Sequence, residues 1–399
     1  MNPFRAMRYS ALPIGMDLSP AGARLLQFRE TRAGLAVVDA LRVDIDSPCD
    51  TGSMMDQLAP VLKMVQRRLP MTEFKGRKCI VGLSQDLLRI RSIRQPRMPQ
   101  EEADRAVQLE APDRLGYSED EPDEIGWIRA GEVRQSDQLR DEVIVIGAGT
   151  ESMEWLVNTM VDMRLRPMAV EPSFIAVSRC FERAGRRAAD ESVTRLLIDI
   201  GESSTNLLVL QGSSISFYKS FQIGGARMTD LVAERLGLEL QSAKDLRRQR
   251  SQPGRRQIDG LRDERTEQAI FDAIRPSLDD LCREVSLCLR YYAVSFIGSR
   301  PTFALITGAE AAEPKIVEHM QRVLGIPTVL GKPFDNVILH GALQGLEHTP
   351  LAEWSAAAGL ALRGSNVSIE RPLVSHSKDH ASPSSDEAPG EVKDERNAA

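Results

Sequence analysis

Two distant segments of the chain share one pattern: an apolar strand that ends at an aspartate, a turn of small and polar residues, and a second apolar strand. The first covers residues 14–26 and carries Asp17, and the second covers residues 197–208 and carries Asp199. In such a β-hairpin, the backbone N–H groups of the turn and its hydroxyls can form an anion-binding site. An aspartate beside bound phosphates is suited to hold Mg²⁺, directly or through water. Two such hairpins about 180 residues apart indicate an internal duplication that clamps a polyphosphate from both sides.

Composition excludes several other classes of protein. The chain has 399 residues, enough for two or three domains with substantial cores. Its net charge of -6 argues against a protein that binds nucleic acid through a large basic face. The five cysteines form no CxxC pair and there are five histidines, so we expect neither a zinc site nor a disulfide framework. No apolar run reaches the roughly 18–20 residues of a membrane span, and residues 1–13 lack the apolar core of a signal peptide. A cytoplasmic protein is therefore expected.

The spacing of apolar residues predicts both strands and helices. Strands are predicted at residues 35–43, 79–83, 142–147, 195–210 (two strands around a turn at 201–206) and 303–307. Amphipathic helices are predicted at residues 54–68, 101–115, 151–163, 228–236 and 269–292, with Pro276 at a kink or a helix start. The polar composition of residues 250–266 predicts a loop, and that of residues 364–399 predicts a disordered tail.

With these landmarks in place, the chain resembles the actin-like ATPase superfamily, in which the two hairpins are called phosphate 1 and phosphate 2. Residues 165–176 resemble the first connecting segment of that superfamily, where Glu171 matches an acidic residue that can orient the attacking water. Residues 306–309 resemble the adenosine motif, and residues 356–361 resemble the second connecting helix, where small residues let two helices cross closely. The pair Gly224-Gly225 resembles the nucleotide-contacting turn of the second half.

Within the superfamily the chain is most similar to the PilM family. Residues 198–206 followed by 221–225, and residues 231–246 with Lys244, resemble the second half of that family. Residues 80–93 followed by 98–102 resemble the extra subdomain that it shares with FtsA-like proteins. The resemblance implies an α/β protein with a duplicated actin-like (ribonuclease H-like) fold and a small α/β subdomain inserted in the first half. The domains expected from it are an extension at 1–12, a first half at 13–175 with the insertion at about 35–150, a second half at 176–363, and the tail at 364–399.

The resemblance also implies a function and a set of site residues. It implies a cytoplasmic scaffold that binds ATP and Mg²⁺ in a type IV pilus or type II secretion-like inner-membrane platform. Its partners would be the N-terminal peptide of a PilN-type membrane protein, received within residues 80–115, other platform components, and further copies of itself. Carried over by motif, Asp17 and Asp199 would hold the metal ion and Glu171 would be catalytic. The nucleotide would be bound by Gly15, Ser19, Arg24, Gly201, Ser203, Ser204, Thr205, Asn206, Gly224, Gly225, Lys244, Gly308 and Ala309.

Three residues depart from the superfamily pattern and leave alternatives open. Pro20 in the phosphate 1 turn has no N–H to donate, Arg24 stands where Lys is common, and Ala309 replaces the second glycine of the adenosine motif. ATP hydrolysis is therefore left open. One alternative is a nucleotide-independent interaction protein with a degenerate cleft, and another is an FtsA-like filament-forming protein.

Overall fold

A computed structural model describes residues 11–46, 48–49, 51–117, 123–135, 138–182, 193–251, 264–339, 346 and 349–363. The predicted tail at 364–399 and most of the predicted extension at 1–12 and loop at 250–266 lie outside the described residues.

The chain contains both strands and helices, in mixed order. The strands are β1 (Ala11–Ser19), β2 (Gly22–Thr31), β3 (Gly34–Asp44), β4 (Lys78–Leu83), β5 (Arg89–Pro96), β6 (Asp123–Gln135), β7 (Gln138–Gly149), β8 (Arg166–Pro172), β9 (Thr194–Ile200), β10 (Thr205–Gln211), β11 (Ser214–Phe221), β12 (Phe303–Thr307), β13 (Thr328–Leu330) and β14 (Val337–Ile338). The helices are α1 (Met54–Arg68), α2 (Gln100–Leu115), α3 (Thr150–Asp162), α4 (Ser173–Glu182), α5 (Gly225–Leu236), α6 (Leu240–Ser251), α7 (Glu264–Ser295), α8 (Ile316–Leu324) and α9 (Ser355–Ala361).

The predicted strands and helices are all confirmed, with shifts of a few residues at their ends. Pro276 lies inside α7, so of the two predicted alternatives the helix start is wrong and the kink stays a prediction. An interior proline removes one helix hydrogen bond. The helix continues because its apolar stripe is fully buried on both sides of the proline, at Ile270, Ile274, Leu278 and Leu281.

The strands form three sheets. The first has the order β14-β3-β2-β1-β4-β8, the second β11-β10-β9-β12-β13, and the third is the antiparallel sheet β5-β7-β6. In the first sheet β1 is antiparallel to β2 and parallel to β4, and in the second β9 is antiparallel to β10 and parallel to β12. The two large sheets thus repeat one arrangement around β1 and β9, as the duplicated hairpins predict.

The domain boundaries inferred from the sequence stay predictions. The three strands of the third sheet, together with α2, lie within residues 89–149, inside the range of about 35–150 predicted for the inserted subdomain. A short 3₁₀ helix, Gln85–Leu87, connects β4 of the first sheet to β5 of the third.

Helix α9 packs against both β1 and α4 through small residues. A Cβ atom built on Gly359 would overlap the carbonyl oxygen of Ala176 in α4, and one built on Gly15 in β1 would overlap the carbonyl oxygen of Ala357. Every residue of α9 is buried. The predicted close crossing of residues 356–361 with a second helix is therefore confirmed, because only glycine lets the backbones approach this closely.

We expect Gly359→Ala to lower the free energy of unfolding by at least about 1–3 kcal/mol, the usual range for overpacking, since the helices must move apart. Urea unfolding of the purified variant measures this loss. The matched control is Gly126→Ala, because no atom lies within 4 Å of a Cβ atom built on Gly126. Equal unfolding midpoints for the two variants would contradict the proposed packing constraint.

Candidate functional site

Two partly buried aspartates occupy equivalent places in the two large sheets and line the same cavity. Asp17 lies near the end of β1 and pairs across the hairpin with Arg24, while Asp199 lies near the end of β9 and pairs with Asn206. The hydroxyl of Ser173, the first residue of α4, donates a hydrogen bond of 2.5 Å to Oδ1 of Asp17. The side-chain amide of Asn206 donates one of 3.3 Å to Oδ2 of Asp199. The cavity has a volume of about 1410 Å³, above the roughly 300–1,000 Å³ of common ligand pockets.

The surroundings of the two aspartates disfavour their negative charge. Burial raises the pKa of Asp17, against the hydrogen bond from Ser173 and the charge of Arg24. Burial also raises the pKa of Asp199 to about 6, opposed by the hydrogen bond from Asn206 and reinforced by the nearby charge of Asp17. Each carboxylate therefore lacks enough compensating positive charge, and the pair is suited to a cation placed between them.

Gly308 follows β12 and closes the cavity beside Asp199. Its backbone has a φ of 97°, in the region that favours glycine. A Cβ atom at this position would lie 2.6 Å from Oδ1 of Asp199. Glycine is required here because the backbone approaches the carboxylate directly.

Most of the predicted site residues line the cavity. Besides the two aspartates these are Ser19, Arg24, Gly201, Ser203, Ser204, Asn206, Lys244, Gly308 and Ala309. The structure thus brings the phosphate 1 hairpin, the phosphate 2 hairpin, α6 and the turn after β12 around one space, while the ligand-binding roles of these residues stay predictions.

Four predicted nucleotide ligands have structural roles and do not line the cavity. Gly15 allows α9 to pack on β1. The hydroxyl of Thr205 donates to the backbone oxygen of Ile223 at 2.6 Å. Gly224 packs against the backbone of the phosphate 2 turn, and Gly225 faces the carboxylate of Glu310. Thr205, Gly224 and Gly225 thus shape the phosphate 2 turn and the start of α5, and a direct role of the four residues in ligand binding stays a prediction.

Glu171, the predicted catalytic acid, is paired with two arginines. Both carboxylate oxygens accept hydrogen bonds from Arg179, at 2.5 and 3.1 Å, and Arg363 adds a third at 2.8 Å. Glu171 is buried and does not line the cavity. These three hydrogen bonds connect β8 with α4 and the end of α9 and leave Oε1 with one acceptor position, so a catalytic role of Glu171 stays a prediction.

Sequence reasoning missed several residues that line the cavity. Gln85 and Asp86, in the 3₁₀ helix after β4, meet the phosphate 2 hairpin. Ser173 supports Asp17. The position of Ser173 within the first connecting segment, two residues after Glu171, was a usable signal, whereas nothing in the local sequence distinguishes Gln85 or Asp86 from ordinary helix-start residues.

Three cationic side chains that line the cavity, those of Arg24, Lys244 and Arg248, are paired with carboxylates of the chain itself. Arg24 lies 2.9 Å from Oδ1 of Asp44 and 3.4 Å from Oε1 of Glu353. Arg248 of α6 also pairs with Asp44, at 2.8 Å, and so joins the second half to β3. Lys244 pairs with Glu202 in the phosphate 2 turn, at 3.2 Å. These cations are therefore already neutralised in the structure.

The hydroxyls of the phosphate 2 turn are paired in the same way. Ser203 donates to Oδ2 of Asp86 at 2.5 Å, and Ser204 donates to Oδ1 at 3.2 Å. Gln85 bridges Ser204 and Asn206, and its hydrogen bond from Asn206 is 2.9 Å long. These contacts connect the first half to the second directly across the cavity.

Two observations bear on metal and membrane binding. Over the described ranges, no group of three or more His, Cys, Asp or Glu side chains converges in a way that could hold a metal ion. A cation between Asp17 and Asp199 would therefore take its remaining ligands from water or a bound anion. Within the same ranges, no helix combines the length and the apolar character needed to cross a bilayer.

Comparison with known proteins decides the family. A sequence model of the family described as "Type IV pilus assembly protein PilM" matches residues 15–365. The chain belongs to the PilM family.

The solved structure titled "PilM-PilN type IV pilus biogenesis complex" is similar with a TM-score of 0.70 and 20% identity over 88% of this chain and 98% of that chain. The ethanolamine utilization protein EutJ from Carboxydothermus hydrogenoformans gives a TM-score of 0.49 and 12% identity over 91% of this chain and 92% of that one, too low to add to the argument. The predicted actin-like α/β fold is confirmed, and the chain is a type IV pilus assembly protein of this fold.

The burial of Asp199 predicts how the free energy of unfolding depends on pH. Its pKa rises from 3.8 to about 6 on folding, so the folded state holds this proton more tightly than the unfolded state. The resulting stabilisation is complete below pH 3.8 and is lost as pH rises to about 6. Asp199→Asn removes this loss. We expect the stability of the variant relative to the natural protein to increase by about 2 kcal/mol between pH 4 and pH 7.5.

Urea unfolding at the two pH values measures the effect. The control is Asp113→Asn, because Asp113 is exposed on α2 and its replacement should shift stability equally at both values. A stability difference for Asp199→Asn that does not change with pH would contradict the burial argument.

Proposed function

We propose that the protein binds ATP with Mg²⁺ in the cavity between its two halves and serves as a cytoplasmic scaffold for a type IV pilus or related secretion platform. The observation that supports nucleotide binding most directly is the pair of partly buried aspartates, Asp17 and Asp199, whose carboxylates share one cavity with too little positive charge around them. A buried carboxylate pair destabilises the unliganded protein, which is typical of a functional site.

The residues present fit Mg-ATP. Asp17 and Asp199 would hold the cation, and the hydroxyls of Ser203 and Ser204 would donate to phosphate oxygens. Gly308 brings the turn after β12 directly against the Asp199 carboxylate, beside the proposed cation site. When bound, Mg-ATP supplies phosphate oxygens that complete the coordination of the cation and neutralise the two carboxylates. If the bound ATP is slowly hydrolysed, Glu171 would be the acid that orients the attacking water, with Arg179 and Arg363 fixing its position.

The proposed partner is the N-terminal cytoplasmic peptide of a PilN-type inner-membrane protein, and this contact would hold the scaffold at the membrane. The proposal is supported by membership of the PilM family and by similarity to a protein solved in a PilM–PilN complex. The proposed binding region, residues 80–115, contains β5, which lies at the edge of the third sheet, and α2. An edge strand offers unpaired backbone groups to an extended peptide.

A second candidate function is a scaffold that works without nucleotide. It is favoured by the observation that Arg24, Lys244 and the hydroxyls of the phosphate 2 turn are already paired with carboxylates of the chain. In that case the fold would be retained for its binding surfaces alone.

Calorimetry with Mg-ATP distinguishes the two candidates. We expect micromolar binding by the natural protein and at least about a tenfold loss in Asp199→Ala, because the cation loses one of its two carboxylate ligands. The exposed Asp113→Ala on α2 serves as the charge-matched control. Absence of binding at millimolar Mg-ATP would exclude the nucleotide proposal and leave the nucleotide-independent scaffold.

The coupling of nucleotide and partner is tested separately. Binding of a synthetic peptide with the N-terminal sequence of a PilN-type partner should change in affinity when Mg-ATP is added, since a ligand shifts a conformational equilibrium only by its differential affinity for the two states. Fluorescence anisotropy with labelled peptide measures both affinities. Identical affinities with and without Mg-ATP would exclude coupling, while failure of the peptide to bind at all would exclude the partner proposal.

A further inference from the structure

Asp86 accepts hydrogen bonds from the serine hydroxyls that the proposed nucleotide would need as donors. Its two carboxylate oxygens accept hydrogen bonds from Ser203 at 2.5 Å and from Ser204 at 3.2 and 3.4 Å. A carboxylate that accepts two hydroxyl hydrogen bonds has the same acceptor chemistry as a phosphate oxygen pair. Asp86 is therefore placed as an anion in the turn predicted to bind an anion.

The hydrogen bonds to Asp86 are weak enough for a phosphate to displace its carboxylate. Its hydrogen-bond partners within the described ranges are the neutral hydroxyls of two serines. In contrast, Asp44 is held by the guanidinium groups of Arg24, Arg42 and Arg248. Hydrogen bonds from serine to a carboxylate are readily exchanged for bonds to a more highly charged anion, and the negative charge of Asp86 would repel a phosphate that shared the turn with it.

Asp86 also sits at a junction in the fold. The 3₁₀ helix Gln85–Leu87 joins β4 of the first sheet to β5 of the third. The neighbouring Gln85 bonds to Ser204 and Asn206 of the second half. Movement of Asp86 away from the serines would therefore loosen a contact between the halves and move the start of β5, the edge strand proposed to face the partner.

We infer that Asp86 is a built-in competitor for the phosphate 2 turn, and that its carboxylate latches the two halves together until a bound phosphate displaces it. The displacement part of this inference rests on the proposed binding of Mg-ATP, whereas the latch is a property of the protein without ligand. The two parts are separable by experiment.

Hydrogen exchange of the ligand-free protein tests the latch. Asp86→Ala should speed exchange at the amides of Leu87 and Leu88 on one side of the cavity and of Gly201 on the other, which are all hydrogen-bonded in the latched structure. Asp86→Asn, which keeps the shape and loses the charge, should give a smaller increase. Asp113→Ala removes the same charge from an exposed position on α2 and should leave all three amides unchanged. Unchanged exchange in Asp86→Ala overturns the latch, whether or not nucleotide binds.

Calorimetry with Mg-ATP on the same four proteins tests the displacement. Asp86→Ala should bind about tenfold more tightly than the natural protein, a difference of about 1.4 kcal/mol, and Asp113→Ala should match the natural protein. Equal or weaker binding by Asp86→Ala overturns the competition. If neither protein binds, the proposed nucleotide function fails and the competition fails with it, while the exchange result still decides the latch.

Discussion

The burial of two carboxylates in one cavity is the constraint around which the halves of this protein are organised. Burial raises the pKa of both Asp17 and Asp199, and the nearby charge of Asp17 raises that of Asp199 further. The protein offers only partial compensation, through a hydroxyl on Asp17 and a side-chain amide on Asp199. Such an arrangement persists because the surrounding fold is stable enough to hold it, and it leaves the cavity ready for a cation.

The fold holds this arrangement by close backbone packing behind the cavity. Helix α9 fits between β1 and α4 because Gly15 and Gly359 present no side chain. The salt bridges of Glu171 to Arg179 and Arg363 join the same elements. Small residues and paired charges therefore fix the end of β1, and with it Asp17, from the side opposite the cavity.

The front of the cavity is closed by contacts of a different kind. Asp44 reaches Arg248, and Gln85 and Asp86 reach the phosphate 2 turn, so polar side chains of the first half meet those of the second. Polar contacts of this type exchange partners at lower cost than packed apolar surface. Because the packing behind the cavity is tight and the polar contacts across it can exchange partners, an anion that enters the cavity can shift one half relative to the other. The β4–β5 connection would transmit that shift to the third sheet.

Local sequence was enough to predict many of the strands and helices and the two central aspartates. The apolar spacing that predicts β9, α1 or α7 is a local property, and each hairpin carries its aspartate and its turn in one short segment. Which side chains pair across the cavity was decided only by the tertiary structure. Glu171 and Arg363 are 192 residues apart, and Asp86 and Ser203 are 117 apart, so no local pattern could show that the predicted catalytic acid pairs with an arginine or that an aspartate accepts a hydrogen bond from the predicted phosphate-binding turn. Long-range packing selects such partners, because a buried polar group bonds to whichever donor the fold brings within reach.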